Sequence, residues 1–218
     1  MANNTHRYGF RYVGNASGGV GPKPFELTVA SAYAAQVSAT DVDLNIGDPV
    51  QYNVGAPGSG FVELAAVGAT PNVFYGVIVG CFAKVDANGK ARPCNRIPAG
   101  TTWTTEETRS RVWVIPFGRN IWEIDTTGGT ATTNTLIEYR AQLNRNLNLI
   151  YTLDVTNTER PKANPMLDLT TLTDDTADFR LVDVGRTAEN QDYSGTFVKM
   201  RVIVNESGEA PYVIDPGV

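Results

Sequence analysis

Histidine and cysteine are scarce in this 218-residue chain, which contains one histidine, His6, and two cysteines, Cys81 and Cys94. His6 lies in a glycine-rich N-terminal stretch, so no Ser-His-Asp or Cys-His arrangement can be built on a rigid scaffold. One histidine and two cysteines are too few for a metal site with four Cys or His ligands. Two cysteines do not form a disulfide framework, and we expect Cys81 to be a small buried hydrophobe. The sequence therefore predicts a non-enzymatic protein without a cofactor or metal.

Basic charge and long apolar runs are also lacking. The chain has 18 Lys and Arg against 23 Asp and Glu, a net charge of -5 at pH 7. Nucleic-acid binding needs a basic face, so nucleic acid is not expected as a partner. No apolar run approaches the about 20 residues that span a membrane, so no membrane partner is predicted. The first eight residues lack the apolar segment of a signal peptide, and we expect a cytoplasmic site of assembly.

What is abundant is strand-forming sequence. Residues 73–85 are rich in β-branched and aromatic side chains, and Gly76 and Gly80 lie within the run. This run predicts a central strand buried on both faces, which can bend or admit another backbone at the glycines. Short strands recurring every roughly 8–12 residues are typical of a sandwich or barrel. We predict a single all-β domain of short antiparallel strands over residues 25–218.

The remaining elements are read from alternation and from capping signals. Thr135 and Glu138 match a capping box, which predicts one short helix. Core positions are predicted at Val77, Val79, Phe82 and Val202. The further predicted strands are residues 25–29, 41–46, 50–54, 61–67, 111–116, 120–124, 147–154, 179–184, 195–205 and 211–214.

Residues 1–24 do not resemble part of a core. Glycine and proline make this stretch flexible and prevent a helix, and aromatic residues alternate there with arginines. We interpret it as an extended N-terminal arm that orders on a partner, although a disordered leader is the plainer alternative. The candidate partner-binding residues are Arg7, Tyr8, Phe10, Arg11 and Tyr12.

Two patterns resemble a calcium loop and a catalytic carboxylate pair, but a structural interpretation is favoured for both. Residues 41–45 resemble the start of a calcium loop, but its sixth and twelfth positions are Ile46 and Tyr52 instead of Gly and Glu, so we predict a strand. Asp174 and Asp175 could form a carboxylate pair, but their Thr- and Asp-rich surroundings indicate a solvated turn.

Several segments resemble the head-decoration, or cement, proteins of tailed bacteriophages. They are residues 47–50 (Gly-Asp-Pro-Val), 75–80, 111–114, 165–168, 179–183, 191–192 and 202–205, in that order along the chain. The likeness covers most of residues 40–206 as spacing without one diagnostic motif. It implies a homo-oligomeric β protein on the exterior of the virion, which binds a major capsid protein of HK97 type and stabilises the shell.

A different class of protein is the main alternative. Trp103 and the Thr-rich loops are compatible with a carbohydrate- or receptor-binding β module of the tail-fibre or lectin-like kind. Trp113 and Trp122 lie within apolar strands, so core packing is the expectation for both. A glycan-acting enzyme is not expected, because no general acid stands out.

Overall fold

The structure is a computed structural model. It describes residues 9–18, 21–29, 35–37, 40–52, 61–67, 74–83, 92–99, 110–127, 135–154, 162–173, 177–185, 190, 192–194 and 197–205. The elements in chain order are β1 (Arg11–Asn15), β2 (Phe25–Val29), β3 (Ala35–Val37), β4 (Thr40–Val42), β5 (Leu44–Asn45), β6 (Pro49–Tyr52), β7 (Phe61–Leu64), β8 (Gly76–Ala83), β9 (Arg92–Cys94), β10 (Arg96–Ile97), β11 (Arg111–Pro116), β12 (Asn120–Asp125), α1 (Leu136–Ala141), β13 (Asn146–Tyr151), β14 (Pro165–Thr173), β15 (Phe179–Val184) and β16 (Lys199–Val204).

The prediction of an all-β fold is confirmed, and most strands belong to two six-stranded sheets. The first sheet has the order β1-β12-β16-β15-β13-β14 with antiparallel neighbours. The second has the order β11-β2-β7-β6-β8-β9 and includes a parallel pair, β2 with β7. Because β11 also pairs with β8, five strands of the second sheet close into a barrel.

The first sheet also curls, because β14 at one end approaches the residues that follow β12. Thr126 forms a bridge with Leu167 of β14, and the Thr127 N–H donates to the Leu167 carbonyl at 2.9 Å. The concave side encloses a core of aromatic and aliphatic side chains. Phe117 lies at its centre, with ring centroids 5.2 Å from Phe10 and 5.3 Å from Phe179.

Strand β8 separates the two cores, as expected for a strand buried on both faces. Successive strand residues point to opposite faces. Val77 belongs to the core of the first sheet, and Ile78 belongs to the barrel core. Gly76 is needed for a close backbone approach, since a Cβ there would lie 2.4 Å from the Ile115 carbonyl oxygen.

Tyr151 joins the two cores from the first sheet. Its side chain packs against both clusters, and its hydroxyl donates to the Ala65 carbonyl at 2.6 Å. Burial raises the pKa of this phenol well above its ordinary value. The neutral Tyr151 hydroxyl therefore links the first sheet to the barrel through a hydrogen bond.

The predicted core positions are confirmed in part. Val77 and Val202 are fully buried. Val79 is half-buried, and it falls at the irregularity where β8 pairs with β11. Phe82 is also half-buried, because its ring packs against Trp113 on the outer face of the barrel.

The predicted helix is confirmed with its capping box. The Thr135 side chain accepts from the Glu138 N–H at 3.3 Å, and the Glu138 carboxylate accepts from the Thr135 N–H at 2.9 Å. Strands β9 and β10 were not predicted, because Pro93 and the charged residues around it indicate a loop. The predicted strand 211–214 lies outside the described residues.

The interpretation of residues 1–24 as an arm outside the folded body is wrong for residues 9–18. Phe10 is 4% exposed, and β1 pairs with β12 from Arg11 to Asn15. The Phe10 N–H also donates to the Gly47 carbonyl at 2.9 Å. Burial of the Phe10 ring, typically worth about 1.5–3 kcal/mol, favours docking of this segment despite its glycines.

Candidate functional site

The residues proposed to bind a partner do not form one exposed group. Arg7 and Tyr8 lie outside the described residues. Phe10 is in the core of the first sheet, where a partner cannot reach it. Tyr12 is half-buried, and its ring packs edge-on against Trp122 at a centroid distance of 5.6 Å. Arg11 is the described member that keeps a largely exposed side chain, at 55%.

Strand β1 lies at an end of the first sheet. Among the described residues it pairs with β12, and its other edge has no strand partner. Val13 is 38% exposed and sits at an irregularity between Tyr12 and Gly14. An unpaired strand edge presents backbone N–H and C=O groups that another chain can pair with.

A row of alternating charges crosses four strands of the first sheet. Glu123 of β12 lies opposite Arg11 of β1 on one side and opposite Arg201 of β16 on the other. Arg201 in turn lies opposite Asp183 of β15, and its guanidinium donates to that carboxylate at 3.3 Å. Arg11 forms an ion pair with Glu123. We call these four residues the charge ladder.

Glu123 is the buried centre of the charge ladder. Its side chain is 3% exposed, whereas Arg201 and Asp183 are each 28% exposed. A buried carboxylate is costly unless charges and hydrogen bonds surround it. The guanidiniums of Arg11 and Arg201 lie on either side of Glu123. Their positive charges compensate the negative charge of its buried carboxylate.

A second ion pair lies beside the ladder on the same strands. Asp125 and Lys199 are opposed in register, and their charged atoms are 3.7 Å apart. Both side chains are buried. Asn190 covers Lys199, since its amide accepts from the Lys199 N–H at 3.0 Å and donates to the Lys199 carbonyl at 3.1 Å.

A cavity of about 370 Å³ lies where β1 meets these pairs. Its charged lining residues are Arg11, Glu123, Asp125 and Lys199, and Ile46 adds an apolar wall. The two acidic and two basic side chains cancel in formal charge. The cavity therefore does not select a ligand of one charge sign.

The turn next to this cavity contains a buried acid. Asp48 is 3% exposed, and its carboxylate accepts from the Asn45 N–H at 2.7 Å. Burial raises the pKa of Asp48 to about 7, despite the opposing hydrogen bonds from Asn45 and the charge of Lys162. Gly47 makes the turn with φ of +94°, a conformation that favours glycine.

A different surface lies on the outer face of the barrel. Trp113 was predicted to pack in the core, but it is 42% exposed there. The reason is register: Val112 and Val114 fill the barrel interior, so the residue between them must face outward. Trp122 is fully buried, as predicted, and Trp103 lies outside the described residues.

Three side chains surround this tryptophan in an ordered array. The Trp113 ring packs against Phe82 at a centroid distance of 5.3 Å. Its Nε1–H donates weakly to Glu26 at 3.4 Å, and Arg111 donates to the other oxygen of Glu26 at 2.7 Å. Gly80 lies opposite Trp113 in register and adds no side chain beside the ring. We call Trp113, Phe82, Glu26 and Arg111 the aromatic array.

The described residues show few groups suited to catalysis. They contain no cluster of three or more His, Cys, Asp or Glu that could hold a metal ion. Residues 41–45 form strand structure, as predicted, and Asp43 is held by Arg96 and by the Ala99 N–H at 3.1 Å. His6, Asp174 and Asp175 lie outside the described residues.

The cysteines lie opposite each other on β8 of the barrel and on β9 beside it. Cys81 of β8 is paired in register with Cys94 of β9, and the two are not joined by a disulfide. Burial raises the pKa of the Cys81 thiol to about 12. Cys81 therefore lies in the barrel core, as predicted, where burial disfavours the reactive thiolate.

Comparisons of the chain with protein-family models, with curated proteins and with solved structures gave no match. No helix in the described part of the chain is long and apolar enough to cross a membrane.

Proposed function

We propose that this protein is a non-enzymatic structural protein that binds and stabilises a bacteriophage capsid shell. The resemblance of residues 40–206 to cement proteins supports this function. The partner in this proposal is a major capsid protein of HK97 type, and the protein lies on the exterior of the virion after assembly in the host cytoplasm.

The observation that carries the proposal is the anchored edge strand β1. The ring of Phe10 holds the start of β1 in the core, so Arg11 and Val13 are presented at a fixed place on the body. An edge strand can take up a strand of a partner through backbone hydrogen bonds. Arg7 and Tyr8 precede β1 in the sequence and are further candidate contacts in this proposal.

Multiple attachment strengthens such a contact. Capsids are symmetric, and we propose that the protein binds as a dimer or trimer. Copies joined in one oligomer then bind neighbouring shell subunits at a high effective concentration. Light scattering at several protein concentrations measures the oligomer order, and a monomer both in solution and on shells would contradict this part of the proposal.

Co-sedimentation with shells tests the proposal. Purified protein is titrated against expanded HK97-type shells that lack a decoration protein, and we expect saturable binding at a fixed number of copies per shell. Val13→Asp should weaken attachment by about tenfold or more, because it places a charge at the unpaired edge. Ile137→Asp is the matched control, since Ile137 is 78% exposed on α1, which packs against β15.

A further inference from the structure

We infer that the aromatic array on the outer face of the barrel is a binding site for a single pyranose sugar. The inference rests on residues of β2, β8 and β11, and it does not depend on binding to a capsid.

The array combines an apolar surface with paired charges. Trp113 and Phe82 present adjacent rings, and the C–H groups on one face of a pyranose stack on such a surface. Glu26 and Arg111 border the rings and face each other across an ion pair. A sugar combines complementary features, because its ring has an apolar face and hydroxyl groups at its edge.

The charged pair retains hydrogen-bonding capacity. A carboxylate has about four acceptor sites, and a guanidinium has five N–H donors. Glu26 uses acceptor sites for Arg111 and Trp113, while both charged side chains stay about half exposed, at 47% and 49%. Vicinal hydroxyls that donate to Glu26 and accept from Arg111 fit this arrangement.

The size of the surface favours a sugar over a protein partner. A stable protein interface buries about 800 Å² on each partner. Large aromatic side chains bury about 150–250 Å² each, and Phe82 and Trp113 have already lost more than half of theirs to the fold. The exposed remainder matches one pyranose ring.

The indole is held in position before any ligand binds. Glu26 accepts from its Nε1–H, and Phe82 packs against one side of the ring. Gly80 lies opposite Trp113 in register, and a Cβ there would make only ordinary contact, 3.7 Å from the Cβ of Trp113. A preorganised ring loses little conformational entropy on binding.

Saturation-transfer NMR tests the inference with methyl glycosides of glucose, galactose, mannose and N-acetylglucosamine as probes. We expect transfer from the protein to ring C–H protons on one face of at least one probe. Trp113→Ala should weaken this binding at least tenfold, and Glu26→Gln should weaken it without removing the aromatic surface. Ile137→Ala, which removes an exposed apolar side chain elsewhere, should leave it unchanged.

Three results separate this inference from the proposed function. Absence of transfer to all four probes, or equal transfer in a folded Trp113→Ala variant, would overturn the sugar site. If Trp113→Ala lost shell attachment and the parent protein bound none of the four probes, the array would instead be assigned to a protein partner. Sugar binding without shell attachment would support the sugar site and contradict the capsid proposal.

Discussion

Glu123 of β12 lies directly opposite Arg201 of β16, with 3.8 Å between the Glu123 Oε2 and the Arg201 Nε. The first residue is 3% exposed and the second 28%, so the pair extends from the interior to the surface. Arg11 completes the pairing from the N-terminal strand. The N-terminal segment therefore contributes an ion pair to the fold as well as apolar packing.

Removing the charge of Glu123 should destabilise the protein. Glu123→Gln leaves two guanidiniums facing an uncharged amide, and disruption of a buried ion pair costs about 3 kcal/mol or more. Glu26→Gln removes an exposed pair with Arg111 and should cost less than about 1 kcal/mol. Urea denaturation of both variants measures the difference, and equal costs would show that the ladder is not a buried network.

Truncating Phe10 should also destabilise the folded body. Phe10→Ala removes a ring that contacts Phe117, Trp122 and Phe179, and such a change costs about 3–5 kcal/mol. Val13→Ala, at a partly exposed position of β1, should cost less than about 1 kcal/mol. Thermal unfolding compares the two, and an unchanged melting temperature for Phe10→Ala would restore the interpretation of residues 9–18 as an independent arm.

Asp48 should make stability fall as pH rises. Its pKa is about 7 in the folded state, above the ordinary value of 3.8, so the folded state binds the proton more tightly. This contribution is fully present below about pH 4 and is lost as pH rises through about 7. Between pH 5 and 8 we expect a loss of about 1–3 kcal/mol from this group.

Asp48→Asn isolates that contribution. The amide oxygen still accepts from the Asn45 N–H, but the side chain no longer ionises. The free energy of unfolding of the variant, measured at pH 5 and 8, should lack the part of the pH dependence that Asp48 supplies. Identical pH profiles for variant and parent would exclude a buried, titrating Asp48.

Cys81 should resist alkylation in the folded protein. The thiolate is the reactive species, and burial raises the pKa of this thiol to about 12. Iodoacetamide at pH 8 followed by mass spectrometry should label Cys81 in urea and leave it largely unlabelled under native conditions. Rapid native labelling would contradict its place in the barrel core.

Much of the fold is predictable because the strands alternate clearly. The predicted strands at 111–116 and 179–184 coincide with β11 and β15, and the capping box locates α1. The same signal was present in residues 8–12, where aromatic residues occupy every second position. Glycines and arginines between them favoured an arm, although period-two alternation also indicates a strand such as β1.

The candidate sites were less predictable, because they depend on pairing between distant segments. The charge ladder joins Arg11, Glu123, Asp183 and Arg201, and no local pattern relates these positions. The outward position of Trp113 depends on which face of β11 lines the barrel. A shift of one residue would exchange its two faces, so composition alone favoured the core.

Arg11 is a poor position for testing attachment, because it forms an ion pair with the buried Glu123. Reversing its charge would place a second carboxylate beside the buried Glu123, so weaker attachment could follow from a damaged fold. Arg7→Glu, tested with a melting control, is the better probe of whether a charge near the N-terminus contributes to attachment. Its effect should be largest at low salt, where screening is weakest.

Stabilisation of shells is the most direct test of the central proposal. Expanded shells lacking a decoration protein are heated with and without saturating protein, and the temperature at which they disrupt is recorded by light scattering. We expect a clear upward shift with the parent protein and with Ile137→Asp, and a smaller shift with Val13→Asp. An unchanged disruption temperature, despite a folded protein in excess, would contradict the proposed function.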